Sequence, residues 1–257
     1  MNKILAATVL CFTVTLFHPV WGQSWENGTS PGIKTSLGVE YFQRTISTGE
    51  NTENTAQMNT LIFQLGADYQ IEDNISLGAF LGYALSGFDQ VVFQKLPFSL
   101  QVNEENMTGF IGGVRLTAGS LYFSDFEIKG SARFVYFLGQ EQNWDIPGLA
   151  VEGTATGKSD WMQAAAGPVL YYNGPLVFSP YLALQVNYLW GTFTMEENIA
   201  NLSGSQEKEI KSKGFLSLSA GGVYNITPEL ELDAHFGVIP SDGQIDVGAM
   251  IRIGYTF

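Results

Sequence analysis

Hydrophobic residues recur at every second position through most of the chain. The last segment is the plainest. From Gln244 one face carries Ile245, Val247, Ala249, Ile251, Ile253, Tyr255 and Phe257, and the other carries Asp246, Gly248, Met250, Arg252, Gly254 and Thr256. Successive side chains of a strand point to opposite faces, so this spacing predicts a strand with one apolar side. The same rhythm runs through Leu61, Phe63, Leu65, Ala67, Tyr69 and Ile71, and through Ile75, Leu77, Ala79, Leu81, Tyr83 and Leu85. It returns in Leu182, Leu184, Val186, Tyr188 and Trp190, in Leu216, Leu218, Ala220 and Tyr224, and in Leu230, Leu232, Ala234, Phe236 and Val238. Less regular versions lie at 32–46, 107–118, 121–138 and 159–172. Together they predict an all-β chain of about ten strands, with eight and twelve as the alternatives.

The connections alternate in length. Glu72-Asp73-Asn74, Gly119-Ser120, Asn173-Gly174-Pro175 and Thr227-Pro228-Glu229 are tight-turn sequences. Between them lie long polar stretches at about 47–57, 89–106, 139–158 and 195–213, and a short one at Pro240-Ser241-Asp242-Gly243. Short turns at one end and long loops at the other are the habit of transmembrane β-barrels. Aromatics gather near strand ends. Tyr69, Tyr122, Tyr171, Tyr172, Phe178, Tyr224, Tyr255 and Phe257 are assigned to one interfacial girdle, and Tyr41, Phe88, Trp144, Trp161, Trp190 and Phe193 to the other.

The first 22 residues read differently. Lys3 is followed by an apolar run from Ile4 to Phe17, and Val20-Trp21-Gly22 offers a cleavage site before Gln23. This is the three-part pattern of a secretory leader. The expected organisation is a cleaved signal peptide at 1–22 and one barrel domain over 23–257, with strands from about residue 30. The leader's apolar run is too short to cross about 30 Å of hydrocarbon as a helix. No later stretch nears 18 consecutive apolar residues, so any membrane crossing must be made by a closed barrel.

Composition narrows the function classes. The chain has 257 residues, 12 basic against 25 acidic, and a net charge of −13. Nucleic acid is therefore an unfavourable partner, because phosphate binding needs clustered cations. The sole cysteine, Cys11, falls in the leader, as does His18, which leaves His235 as the one histidine of the body. Disulfides, thiolate chemistry and a transition-metal site are not expected, and no cofactor is implied.

The leader, the alternating strands and the ending Ile251-Arg252-Ile253-Gly254-Tyr255-Thr256-Phe257 resemble the bacterial outer-membrane β-barrel superfamily. The resemblance covers nearly all of the body and is specific for class and location rather than function. It implies an up-and-down antiparallel barrel in the outer membrane of a Gram-negative cell, with both termini periplasmic and the long loops extracellular. It implies lipid and lipopolysaccharide as surroundings. It also implies the barrel-assembly machinery and periplasmic chaperones as partners, with Ile253, Tyr255 and Phe257 as the assembly signal.

The inward faces carry the remaining chemistry. Lys34, Arg44, Arg115, Lys129, Arg133 and Arg252 are predicted to point into the lumen, together with Glu40, Asp68, Asp125, Glu127, Glu231, Asp233 and Asp246. His235 is read as a lumen hydrogen-bonding residue. Near-balance of sign predicts ion pairs that fill a narrow barrel, and the alternative is that the charges line a thin channel. The chain is also similar in size and strand count to the omptin proteases. However, Asp233-Ala234-His235 directly follows a tight turn and is placed at the periplasmic end, and no external acid pair is evident. A lipid hydrolase would need a serine that His235 does not have at the required spacing. The expected role is therefore non-enzymatic: structural, or a surface interaction with an external ligand through the loops. A narrow passive channel is the runner-up, and a membrane protease or lipid hydrolase is the third reading.

Overall fold

Two-residue periodicity becomes strand nearly throughout. The computed structural model describes residues 32–49, 55–72, 74–102, 105–146, 153–173 and 177–257. The predicted leader lies outside the described residues, as do Asp73, Gly174 and Pro175 of the predicted turns. The strands are β1 (Ile33–Thr48), β2 (Thr55–Glu72), β3 (Ile75–Asp89), β4 (Val91–Phe93), β5 (Leu100–Val102), β6 (Glu105–Phe123) and β7 (Phe126–Gly139). They continue as β8 (Gln142–Asp145), β9 (Gly153–Tyr172), β10 (Phe178–Ile199), β11 (Leu202–Ser212), β12 (Leu216–Asn225), β13 (Leu230–Ser241) and β14 (Gln244–Thr256).

Among the described residues twelve strands form one sheet, and β4 and β5 form a separate hairpin. All the pairings are antiparallel. Ten strands pair in the order β1, β2, β3, β6, β7, β9, β10, β12, β13, β14, and β14 returns to β1 from Lys34↔Thr256 to Phe42↔Gly248. In this ten-strand ring each strand has a hydrogen-bonded neighbour on both sides, as a lipid environment demands. The expected ten strands describe this ring. Adding β8 and β11 makes twelve, one of the expected alternatives.

The two added strands both lie at the rim away from the short turns. β8 pairs with the outer end of β9, from Gln142↔Gly157 to Asp145↔Thr154. β11 pairs with the outer end of β10 on one side and with Ile46–Thr48 of β1 on the other. At that level β12, β13 and β14 have ended, so the ring closes through β1, β2, β3, β6, β7, β9, β10 and β11. The barrel narrows from ten strands to eight, a size whose interior side chains can fill.

Several sequence expectations are corrected here. Gly119-Ser120 is not a turn. β6 runs through it with a register shift between Ala118 and Leu121, and Gly119 takes φ +73°, the signature of a β-bulge. The tight turn falls at Ser124-Asp125, with Ser124 at φ 53°. The polar stretch 195–213 is a strand hairpin rather than a loop, 139–158 contains β8 and the start of β9, and 89–106 contains β4 and β5.

The faces exchange character along each strand. Near the turn rim, β10 presents Leu182, Leu184, Val186 and Tyr188 outward, exposed, and Gln185 and Asn187 inward. Beyond Trp190 the outward residues are Thr192, Thr194, Glu196 and Asn198, while Leu189, Phe193, Met195 and Ile199 are buried inside. β2 does the same: Leu65 and Phe63 outside with Asp68 and Gln64 inside, then Asn59 and Gln57 outside with Ile62, Met58 and Ala56 inside. An apolar outside with a polar inside suits lipid, whereas the reverse suits a barrel standing in water. This parity also corrects the second girdle. Phe88, Trp161 and Phe193 are fully buried core residues, while Tyr41, Tyr83, Phe110, Tyr136 and Tyr188 are exposed on the outward face.

The belt predicts a position-dependent cost. Ile251 is exposed on the outward face and pairs with Val39 and Ala234. Ile251→Arg is expected to destabilise the barrel by about 2–4 kcal/mol in lipid vesicles. Thr192→Arg, outward but above the belt, should change stability by no more than about 0.5 kcal/mol in the same urea titration. Equal losses for the two would mean that the belt is misplaced.

Candidate functional site

The interior divides into a charged inner half, toward the turn rim, and an apolar outer half. Inward parity on β1, β2, β6, β7, β13 and β14 brings the charged residues together. Nearest the turn rim, Lys34 pairs with Glu231, and Lys129 Nζ lies 3.1 Å from Glu127. Glu127 also accepts bonds from Ser120 Oγ at 2.7 Å and Asn173 Nδ2 at 2.8 Å. One layer deeper, Arg115 Nε sits 2.6 Å from Asp68, and Arg252 lies 2.8 Å from Asp233 and 3.9 Å from Asp68. Arg133 then grips Glu40 with two parallel bonds of 2.7 and 2.6 Å, the bidentate geometry that makes arginine pairs directional. Phe80 lies beneath this layer, with the Arg115 and Arg133 guanidinium groups 5.6 and 5.1 Å from its ring centroid.

His235 is not at the turn rim as expected. Its register partner is Met250, which also pairs with Glu40, so it lies at the Arg133–Glu40 level. Its Nδ1 is 3.2 Å from Tyr181 Oη, and that hydroxyl donates to Asp233 at 2.9 Å. Asp125 is likewise displaced. It is an exposed residue of the β6–β7 turn, because the strand runs past the bulge and turns five residues later than predicted.

Arg44 stands apart at the point where the ring narrows, almost wholly buried. It donates to Asn187 Oδ1 at 3.1 Å and to the Gly214 carbonyl at 2.8 Å, and its Nε is 3.8 Å from Asp246. Asp246 in turn accepts from Thr45 N at 2.9 Å and Thr45 Oγ1 at 2.6 Å. These contacts satisfy backbone left unpaired where β14 stops and the chain after β11 crosses over. Between this layer and the Arg115–Arg252 layer remains a cavity of roughly 250 Å³ lined in part by Gln64, Gln163, Gln185, Ser217 and Ser219.

The outer half is packed with apolar side chains. Trp161 stacks on Phe137 at 5.1 Å, meets Phe42 edge-on at 5.7 Å, and donates Nε1 to Ser86 Oγ at 3.1 Å. Around it Ile62, Met58, Met107, Ile111, Val135 and Leu189 form one continuous buried cluster. The β4–β5 hairpin adds to this cluster, with Val91, Phe93, Leu96 and Val102 all buried. Phe93 packs on Phe193 at 5.3 Å. Phe98 N donates to Glu197 at 2.9 Å, and Lys95 N donates to Gln206 at 2.9 Å. Gly204 leaves the room that Pro97 uses, since a Cβ there would lie 2.5 Å from the proline ring. Lys208 rests over Phe93, and burial, with Lys95 nearby, lowers its ammonium below the ordinary lysine range. At the β13–β14 turn, the Lys213 ammonium 2.7 Å from Asp242 holds that carboxyl below its usual range.

The apolar packing of the outer half and the inward side chains of Tyr181 and Phe80 are not legible in the sequence pattern. The parity that turns Gln185 and Asn187 inward also turns Leu189 and Phe193 inward, so part of the signal is present in the alternation. Among the described residues, no group of three or more His, Cys, Asp or Glu side chains could hold a metal ion.

The autotransporter β-domain family matches residues 39–235, well over half of the chain. No curated protein matches it. Among solved structures, the outer-membrane protease OmpT of Escherichia coli is similar at 12% identity, covering 89% of this chain and 98% of that one, with a TM-score of 0.51. The translocator domain of autotransporter NalP from Neisseria meningitidis is similar at 11% identity, covering 99% and 95%, with a TM-score of 0.46. The attachment invasion locus protein Ail of Yersinia pestis is similar at 14% identity, covering 89% and 100%, with a TM-score of 0.32. At 12% identity the likeness to OmpT is one of fold alone. The family match, the closed antiparallel ring and the outward apolar belt together make this chain an outer-membrane β-barrel that belongs to the autotransporter β-domain family.

Proposed function

We propose that this barrel is a non-enzymatic outer-membrane protein whose lumen is closed to solutes and which works through the strands and loops it displays outside the membrane. One observation carries the reading: the outer half of the lumen is packed with buried apolar side chains and capped by the β4–β5 hairpin. An aqueous path would have to cross that core, and well-packed interiors open only at a large free-energy cost. In the inner half, Lys34, Arg115, Lys129, Arg133 and Arg252 are each matched to a carboxylate, which supports ion pairs as filling rather than as a selectivity ring. His235 acts as a hydrogen-bonding member of that network. The leader at 1–22 serves export, and Ile253, Tyr255 and Phe257, all exposed on the outward face, serve recognition by the barrel-assembly machinery.

A second reading rests on the family match. Autotransporter β-domains are translocators that carry a passenger across the outer membrane, and passage here would require displacing β4–β5 together with Trp161 and Phe193. Single-channel conductance in a planar bilayer separates the two. Silence is expected from protein that shows the heat-modifiable migration of a folded barrel. Discrete, reproducible steps would sink the closed-lumen reading and would make Arg44, Arg115, Arg133 and Glu127 the first residues to test for selectivity.

A further inference from the structure

The hairpin of β10 and β11 has a strand edge with no sheet partner among the described residues. Residues Leu202–Lys211 are paired with β10 on one side. On the other side, among the described residues, β11 meets β1 through Ile210–Ser212 and one bond from Gly49 N to the Glu209 carbonyl, 2.8 Å. That bond fixes the phase of the strand. Glu209 turns its backbone groups toward the β1 side, and every second residue does the same, so Ser203, Ser205 and Glu207 direct an N–H and a C=O to the open edge. None of these groups has a sheet partner among the described residues. Such an edge is a template for another strand unless it is guarded.

The surroundings define what could pair there. The side chains of Ser203, Ser205 and Glu207 are exposed on the outward face, and Ser203 and Ser205 are short enough to let another backbone approach. Glu196, register partner of Ser205, is exposed beside them. The one cation on this face of β11, Lys211, is held by Glu209 at 2.5 Å, and Lys208 turns to the opposite face over Phe93. Glu196 and Glu207 therefore present negative charge that no described cation neutralises. Packing of Pro97 against Gly204 and the bond from Lys95 N to Gln206 hold the strand from behind, so the edge is rigid before anything binds.

We propose that the outer edge of β11, at Ser203–Glu207, binds an extended cationic polypeptide by strand addition. Main-chain bonds to Ser203, Ser205 and Glu207 supply affinity, and Glu196 and Glu207 select lysine- or arginine-bearing segments. This rests on the surface-interaction reading above and names its partner class.

The test uses the barrel refolded in zwitterionic detergent and a fluorescent octapeptide of alternating lysine and threonine, followed by anisotropy. Binding that weakens with added salt is expected. Ser205→Pro removes one edge N–H and crowds the approach, and is expected to weaken binding about tenfold while the heat-modifiable migration stays unchanged. The double substitution Glu196→Lys with Glu207→Lys is expected to weaken it at least as much. Carbon-13 labelled peptide carbonyls should show an extended-strand infrared band on binding. Wild-type affinity in Ser205→Pro overturns strand addition, and no binding to the wild type overturns the site. Concentration-dependent dimerisation that Ser205→Pro abolishes would mean that a second copy takes the edge, and also overturns it. A barrel silent in the bilayer that ignores the peptide loses only this proposal. A conducting barrel that still binds the peptide at Ser205 loses only the closed lumen.

Discussion

Arg44→Ala is expected to cost about 3–5 kcal/mol, the largest loss from any single charged residue, because breaking a buried pair leaves its partner charged in a dry site. Arg44 is only 1% exposed, and so is Asp246. Removing the guanidinium also leaves the Gly214 carbonyl without its donor and Asn187 without one of its contacts. Those groups sit where the ring passes from ten strands to eight, so the loss falls on the junction between inner and outer barrel. Urea unfolding of the refolded protein measures it. The double substitution Arg44→Met with Asp246→Asn should recover part of the stability, since it removes both charges while Thr45 keeps an oxygen to donate to. A loss below about 1 kcal/mol for Arg44→Ala would place the residue in water and undo the account of the junction.

Trp161→Ala should cost about 3–5 kcal/mol, the range for a large aromatic removed from a packed core. The indole is fully buried, stacked on Phe137, edge-on to Phe42 and hydrogen-bonded to Ser86. In an open, hydrated lumen the same truncation would remove few contacts. Its stability effect is therefore a direct reading of whether the outer half is sealed. Trp190→Ala is the comparison. Trp190 faces outward, beside Tyr188 and Phe134, and is only part-buried. It should lose clearly less, and equal losses for the two tryptophans would count against an apolar seal. If Trp161→Ala also produces conductance where the wild type has none, the seal is identified as the barrier.

Much of the barrel is legible in the sequence. Strands β2, β3, β10, β12, β13 and β14 stand where an apolar face alternates with a polar one, because lipid on one side and a polar lumen on the other enforce a strict period of two. The misreadings share a cause. Gly119-Ser120 has the composition of a turn, yet whether a glycine at positive φ ends a strand or only bulges it depends on what the neighbouring strands do. The segments at 139–158 and 195–213 looked like loops because they are polar. Strands that stand above the membrane are polar outside, and their inward residues, such as Phe193, Met195 and Ile199, are spaced too sparsely among Thr and Glu to stand out.

The site shows the same division. Which charges face inward followed from parity for all but Asp125, and parity alone placed His235 on the same face as Asp233. Which carboxylate each cation meets could not follow, since Arg133–Glu40 and Arg44–Asp246 join residues 93 and about 200 positions apart. The sequence by itself determined an exported β-barrel with an apolar belt, a charged interior and tight turns at one rim, because these rest on local periodicity and on composition. Only the tertiary structure decided that β11 replaces three strands at the outer rim, that the interior there is packed with apolar side chains, and that one edge of β11 has no sheet partner among the described residues. Those depend on how strands of unequal length close a ring, a property of their mutual register that no single strand contains.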